Sequence, residues 1–178
     1  MLKHALPMAI IASIISCGSD TSESDNTAAD QIQVIDGTQS QTLAQTRSSD
    51  CTNRLQDWSQ GPAACVVIRD NRALLVRVPY GSNPGWDFPG GYNKGGEFAC
   101  QTAERETCEE SGYAVRAIGK ISYNVFLCEV VASNACRQPV DEGFLEKGWF
   151  NRNDIERLSY RGGSWGDKKG ILRSKLGW

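Results

Sequence analysis

Hydrophobic and polar positions follow two regimes along this chain, and the change falls near Cys51. Before it, an apolar run at residues 5–15 (ALPMAIIASII) gives way to residues 18–50, where Ser, Thr, Asp, Gln and Ala predominate and no aromatic residue occurs. Ile32, Val34, Ile35 and Leu43 keep no sustained period there, so the stretch reads as a disordered tether. Order is expected to begin at residues 51–62. Residues 63–69 (AACVVIR) and 73–78 (ALLVRV) are apolar, β-branched runs separated by Asp70, Asn71 and Arg72, a turn signal, and predict a hairpin or paired strands. Residues 81–84 read as a loop, and 86–88 (WDF) as a short strand leading into Pro89, Gly90 and Gly91. Good helix formers fill 98–111, stopped by Gly112. Residues 114–120 and 122–132 predict two strands, the second apolar on both faces as in a strand covered on both sides. Residues 148–150 predict another short strand, 153–158 a helical turn and 167–176 a basic helix. The order β, β, β, α, β, β, β, α implies an α/β fold, with a mixed sheet sandwiched by helices.

Length and charge narrow the picture. Of the 178 residues about 125 remain for a folded core, enough for one compact unit and too few for two. The 19 Lys and Arg residues against 21 Asp and Glu form no polycationic face, so no nucleic-acid partner is expected. The only histidine is His4, ahead of the folded unit. Nucleophile systems built on Ser-His-Asp or Cys-His need an imidazole base, so they are disfavoured, as are His-containing zinc sites. Cysteines 51, 65, 100, 108, 128 and 136 include no Cys-x-x-Cys pair, which argues against a zinc ribbon or a thioredoxin-like motif.

The apolar run at 5–15 is shorter than the roughly 20 residues of a membrane-spanning helix and suits the hydrophobic segment of a signal peptide. The junction Ile14-Ile15-Ser16-Cys17 is similar to a bacterial lipobox, where the leader is cut before a cysteine that is then acylated. That resemblance implies a lipoprotein signal peptide over 1–16, lipidation of Cys17, a tether over 17–50 and a folded domain over 51–178. Several acyl chains anchor stably where one binds only marginally. The tether would hold the domain some tens of Å from the bilayer, at roughly 5 to 6 Å times the square root of its length. Gly18, in place of Asp after Cys17, resembles an outer-membrane sorting signal. The expected location is the bacterial cell envelope, lipid-anchored on the periplasmic side.

Candidate chemistry concentrates in residues 89–113 (PGGYNKGGEFACQTAERETCEESGY). At about 100° per residue Glu106, Glu109 and Glu110 share an arc of about 100° on one helix face. Three carboxylates so close repel one another, which is tolerable when a divalent cation sits among them. Hard cations such as Mg²⁺ take oxygen ligands and keep several waters. Gly90 and Gly91 let the backbone turn tightly and approach a phosphate, or turn a carbonyl towards a metal. A solvated acidic face is the plain alternative, but it leaves Arg105 and the glycine-rich lead-in unexplained.

Gly91, Glu97, Arg105-Glu106, Glu109-Glu110 and Gly112 stand at the spacing Gly-x5-Glu-x7-Arg-Glu-x2-Glu-Glu-x-Gly. This resembles the Nudix box at all of its fixed positions, and Trp86-Asp87-Phe88-Pro89-Gly90 extends the likeness. Thr107 and Tyr113 depart from it, standing where the family usually has aliphatic residues. A chance match has a probability on the order of one in 10⁸ per starting point. The resemblance implies a Nudix-type α/β/α sandwich and hydrolysis of a pyrophosphate linkage by metal-activated water. The substrate would be a nucleoside diphosphate linked to a second group, or a related envelope diphosphate. It further implies Glu106, Glu109, Glu110 and the Gly90 carbonyl as ligands of Mg²⁺, with Mn²⁺ as the alternative. Arg105 would keep the carboxylates in register, pairing with them and with Glu97, and Gly91, Glu97 and Tyr92 would face the substrate. The general base stays open between Glu106 and Glu146, with Glu142 in reserve; Glu146 stands three residues before Trp149, where the family often carries Glu. Tyr80, Trp86 and Tyr92 border the box and could stack a base or pack an acyl chain, core packing being the alternative for Trp86. A non-catalytic lipoprotein of Nudix fold that holds a phosphorylated ligand is the rival reading. It would be expected to have lost box carboxylates, and here all are present.

The face of the same helix that carries Cys100, Ala103 and Thr107 is assigned to the core. With Cys17 lipidated, six cysteines remain in an oxidising compartment, which argues for disulfides. Cys100 and Cys108 cannot pair along a straight helix, because eight residues at about 1.5 Å place their Cα atoms about 12 Å apart, beyond the limit of about 7 Å. Cys128 and Cys136 flank Ser133 and Asn134 and are the leading candidates for a bridge across a turn.

Overall fold

The computed structural model describes residues 51–136, 145–163 and 165–178. The expected leader and tether, Cys17 and Glu142 lie outside them. The described residues begin with a short helix α1 (Cys51–Leu55), followed by β1 (Ala63–Arg69), β2 (Arg72–Val78), β3 (Gly85–Asp87) and the two-residue strand β4 (Gly90–Gly91). Helix α2 (Ala99–Ser111) comes next, then β5 (Tyr113–Ser122), β6 (Val125–Ser133), β7 (Glu146–Phe150), α3 (Arg152–Arg157) and α4 (Lys168–Leu176).

The strands join in the order β3-β2-β1-β6-β5, with β4 on β1 and β7 on β2. β1 and β6 run parallel, Cys65 opposite Phe126, and the other pairs are antiparallel, so the sheet is mixed as predicted. Asp70 and Asn71 turn β1 into β2 with φ of 51° and 54°. Positive φ at both central positions matches the twist of a two-residue hairpin, and Asn and Asp tolerate it well. The second hairpin turns at Tyr123 and Asn124, slightly later than the predicted break after Lys120. Asn124 takes the left-handed φ of 54°, and its side chain donates to the Gln60 carbonyl at 3.1 Å.

Both faces of the central strand β1 are buried. Ala63, Cys65 and Val67 join Leu74, Phe126, Cys128 and the α2 residues Ala99, Cys100 and Ala103 in one core. Ala64 and Val66 join Ala73, Leu75, Val125, Ile155 of α3 and Leu172 of α4 in the other. A strand buried on both faces has no polar alternation to show, which is why β1 reads as a continuous apolar run. The result is the three-layer α/β/α arrangement expected. Cys100, Ala103 and Thr107 face the core as assigned, although the Thr107 hydroxyl finds no hydrogen-bond partner there. Gly112 caps α2 at φ 74°, its N–H donating to the Cys108 carbonyl at 2.8 Å. Trp86 packs into the second core with its ring edge-on to Phe150 at 4.5 Å.

The disulfide expected between Cys128 and Cys136 is not formed. The bridges are Cys51–Cys100, Cys65–Cys128 and Cys108–Cys136, with Cα separations of 6.1, 5.6 and 5.5 Å. Strand β6 continues to Ser133, so at about 3.3 Å per residue the chain moves roughly 17 Å beyond Cys128 before it bends. Cys128 therefore meets its neighbour on β1, and Cys136, past the strand end, returns to α2.

Candidate active site

The glycine pair and the carboxylates of α2 meet at the edge where β4 lies on β1. Gly90 and Gly91 pair with Ala64 and Ala63. At Gly90 a Cβ would fall 2.6 Å from the Ala64 Cα, inside the backbone of β1. At Gly91 it would fall 2.6 Å from Glu106 Oε2, so the Glu106 carboxylate occupies the space a side chain would need. The Gly90 N–H donates to Glu110 Oε2 at 2.9 Å. Two of the three predicted carboxylate ligands thus lie against the glycine strand.

Arg105 holds the rest. Its Nε and Nη2 donate to the two oxygens of Glu97 at 2.7 and 2.9 Å, a bidentate fork. Nη1 lies 2.7 Å from Glu106 Oε1 and donates to Glu109 Oε2 at 2.8 Å, while Nη2 also donates to the Tyr92 carbonyl at 2.8 Å. Lys94 pairs with the other oxygen of Glu109 at 3.1 Å. Burial opposes the charge on Arg105, but the Glu97 hydrogen bonds and the Glu106 and Glu109 carboxylates hold its pKa above the usual value. Burial also opposes the charge on Glu97, yet the Arg105 guanidinium, the Lys94 N–H and the Thr102 hydroxyl keep its carboxyl below the usual range.

The predicted substrate residues fall at the same place. Glu97 is bound to Arg105. Tyr92 engages the cluster through its carbonyl, and its ring is 81% exposed. Glu146 is placed differently: it starts β7 opposite Arg77 and pairs with that guanidinium at 3.0 Å. Strand alternation sends its neighbour Lys147 towards α2, where Nζ donates to the Ser111 carbonyl. Glu146 therefore lies on the sheet face that carries α3 and α4.

One buried carboxylate escaped the sequence reading. Glu104 accepts from the Ala117 N–H at 2.8 Å and from Arg54 Nη2 at 3.2 Å, and Arg54 in turn donates to the Ala117 carbonyl. Burial pushes the Glu104 carboxyl up to about 7, against the Ala117 N–H and the Arg54 charge. Its place on the helix was a usable signal, since it sits on the same face as Cys100, Ala103 and Thr107. An acid among core positions needs a buried partner.

The donor set is made of hard oxygens, which suits Mg²⁺ or Mn²⁺. Among the described residues no three acidic groups already converge as a ligand cluster. Each carboxylate is turned to a protein partner instead: Glu106 to Arg105, Glu109 to Arg105 and Lys94, Glu110 to the Gly90 N–H. Glu106 against the Gly91 backbone, with Glu109 and Glu110 on the same helix face, supplies the oxygen donors a hard divalent cation takes.

The family model of the NUDIX domain matches residues 59–165, well over half of the chain. The chain belongs to the Nudix family. The chain is 27% identical over 117 residues to "Putative nudix hydrolase 1" of Caenorhabditis elegans, a match covering 58% of this chain and 32% of that protein. The chain thus spans about a third of that relative's length. Among solved structures, a NUDIX-family hydrolase from Clostridium perfringens superposes with a TM-score of 0.50 at 11% identity, over 66% of this chain and 96% of that one. An ADP-ribose pyrophosphatase from Streptococcus suis gives 0.48 at 16%, over 67% and 94%. At these identities the likeness is one of fold. Nudix hydrolases act on diphosphate linkages of small molecules with a divalent cation, and this Nudix domain keeps every charged position of the box, with Glu97, Glu106 and Glu109 joined through Arg105 and Glu110 held by the Gly90 N–H.

Proposed function

We propose that the chain is a Mg²⁺-dependent pyrophosphohydrolase, with Mn²⁺ as the alternative cation, cleaving the diphosphate linkage of a small molecule. A nucleoside diphosphate linked to a second group, or a related envelope diphosphate, is the substrate class. The observation that supports this best is the seating of Glu106 in the space left by Gly91. It puts a carboxylate against backbone that has no side chain to keep a phosphate away.

Glu106, Glu109, Glu110 and the Gly90 carbonyl would hold the cation. When bound, it supplies charge neutralisation to the diphosphate and lowers the pKa of an attacking water. The protein's own contribution is placement. Arg105, fixed by the Glu97 fork, orients Glu106 and Glu109 and offsets their mutual repulsion. Gly91 leaves room for the Glu106 carboxylate, and the exposed Tyr92 ring is available to the organic portion of the substrate. Glu106 is our first choice as proton acceptor from water because it adjoins Gly91; Glu146 is the second, and requires substrate to reach the α3 and α4 face. An exported, lipid-anchored protein fits the leader, the lipobox at Cys17 and the three disulfides. On this reading the reaction would run on the periplasmic side of the envelope. Among the described residues no helix is long and apolar enough to cross a membrane.

The test is turnover by the purified protein of NDP-sugars, dinucleoside polyphosphates and prenyl pyrophosphates, with and without Mg²⁺. Cation-dependent release of a phosphorylated product, lost in Glu110→Gln, is expected. No turnover of any of them, or activity unchanged by Glu110→Gln, removes the assignment. For the anchor, incorporation of a radioactive fatty acid should vanish in Cys17→Ala; equal labelling refutes it.

A further inference from the structure

Two of the three disulfides grip α2 from outside the Nudix box, and they differ in their access to solvent. Cys51, Cys65, Cys100 and Cys128 are at most 2% exposed, so two bridges lie wholly within the core. Cys108 and Cys136 are only half-buried. Cys108 stands between Glu106 and Glu109, near the C-terminal end of α2. Two weaker ties act beside its bridge: the Ala135 N–H donates to the Gly112 carbonyl at 3.1 Å, and Lys147 Nζ donates to the Ser111 carbonyl. The last turn of a helix lacks intrahelical partners for its carbonyls and is where local opening begins. Here that turn carries Glu109 and Glu110, whose charges repel each other and that of Glu106.

We propose that the Cys108–Cys136 disulfide is a redox-sensitive tether that sets divalent-cation affinity: a small dithiol reduces it and weakens cation binding, while the two core bridges keep the domain folded. The inference rests on the reading of Glu106, Glu109 and Glu110 as cation ligands. In the reduction a dithiol thiolate attacks one sulfur of the bridge, forming a mixed disulfide and releasing the other cysteine. The second thiol then displaces the remaining cysteine. Two electrons and two protons pass to Cys108 and Cys136, and the dithiol leaves as its cyclic disulfide. Access decides which bridge reacts first, and the core pairs are shielded. Supports behind metal ligands typically carry 10- to 100-fold in affinity. With the Ala135 and Lys147 ties retained, a loss of about tenfold is expected.

The experiment titrates the full-length chain with Mn²⁺, following free ion by electron paramagnetic resonance, before and after graded dithiothreitol treatment. Alkylation with peptide mass mapping locates the reduced cysteines. Cys108 and Cys136 should be labelled well before Cys51, Cys65, Cys100 and Cys128, with the Kd for Mn²⁺ raised about tenfold. Far-UV circular dichroism should not change, and reoxidation should restore the affinity. Cys108→Ser/Cys136→Ser should show the raised Kd without reductant and ignore dithiothreitol. A Kd within about twofold of the oxidised value once Cys108 and Cys136 are fully labelled, or equally fast labelling of the core cysteines, overturns the tether. Mn²⁺ binding that is absent from the oxidised chain, or indifferent to Glu110→Gln, instead refutes the cation reading and the tether with it. Binding that needs Glu110 but ignores reduction refutes the tether alone.

Discussion

Gly90 and Gly91 are adjacent, and alanine at each should fail in a different way. At Gly90 the added Cβ meets the Ala64 Cα at 2.6 Å, and strand backbone cannot rotate aside. Forcing β4 away from β1 belongs with the overpacking substitutions, about 3 kcal/mol at the upper end of their usual range. At roughly 4 °C per kcal/mol for a domain of this size, Tm should fall by about 12 °C. At Gly91 the obstacle is the end of a flexible side chain, Glu106 Oε2 at 2.6 Å. An ordinary contact is roughly 3.5 Å, so the carboxylate must retreat by about 0.9 Å, and Tm should barely move. Activity should not survive so well. A misplacement of about 1 Å at a reacting group costs on the order of 10²-fold, equivalent to about 2.7 kcal/mol in the barrier. Thermal unfolding, Mn²⁺ titration and kcat/KM on one substrate would be compared for both variants and for Gly91→Ala in a Glu106→Gln background. If Gly91 acts through Glu106, the alanine loses most of its further effect in that background, because the two changes strike one interaction. Fully additive losses, or a Gly91→Ala as unstable as Gly90→Ala, would refute the reasoning.

Arg105→Lys keeps the charge but not the fork, so at least one Glu97 hydrogen bond and one to Glu109 or Tyr92 are lost. A urea midpoint lowered by about 1 M, reflecting about 2 kcal/mol, is expected; an unchanged midpoint contradicts the role given to this residue. Replacing Cys51 and Cys100 together by Ala opens a loop with a sequence separation of 49, and the chain-entropy relation puts the loss at about 4 kcal/mol. Denaturant unfolding in the absence of thiols measures it, and a loss below about 1 kcal/mol would show that the bridge is thermodynamically idle. Asp87 is buried beside Lys168, 3.4 Å away, and burial raises its pKa from an ordinary 3.8 to about 6 against the charges of Lys168 and Arg161. A raised carboxyl binds its proton better in the native state, so its contribution is fully present below about pH 4 and is lost as pH rises through about 6. The stability of the wild type relative to Asp87→Asn should therefore fall across that window and level off above it; a difference independent of pH refutes the assignment.

Much of this was legible in local sequence. The Asp70-Asn71 turn, the stop at Gly112 and the apolar run of β1 depend on neighbouring residues, and the structure keeps them; the strand read as covered on both faces, 122–132, is so only over the first residues of β6 and is exposed from Val131 to Ser133. The carboxylates of Glu106, Glu109 and Glu110 share a face because helical geometry alone puts them there, whereas the Arg105 to Glu97 pairing is implied only by the resemblance to the Nudix box. Helix α1 carried no amphipathic signal over its five residues. Its residue Arg54 gains meaning from Glu104 and the Ala117 carbonyl of β5, which only the fold brings to it.

The sequence by itself determined the class of fold, the helix that carries the candidate site and the carboxylate character of that site, since these rest on the order of local elements and on spacings of a few residues. Tertiary structure alone decided which cysteines meet. The partners lie 49, 63 and 28 residues apart, and their approach depends on strand register and on where β6 ends. It also separated the work of two identical glycines, one pressed on the β1 backbone and the other making room for Glu106. And it sent Glu146 to the other face of the sheet, because strand alternation counts from a register that no local pattern announces.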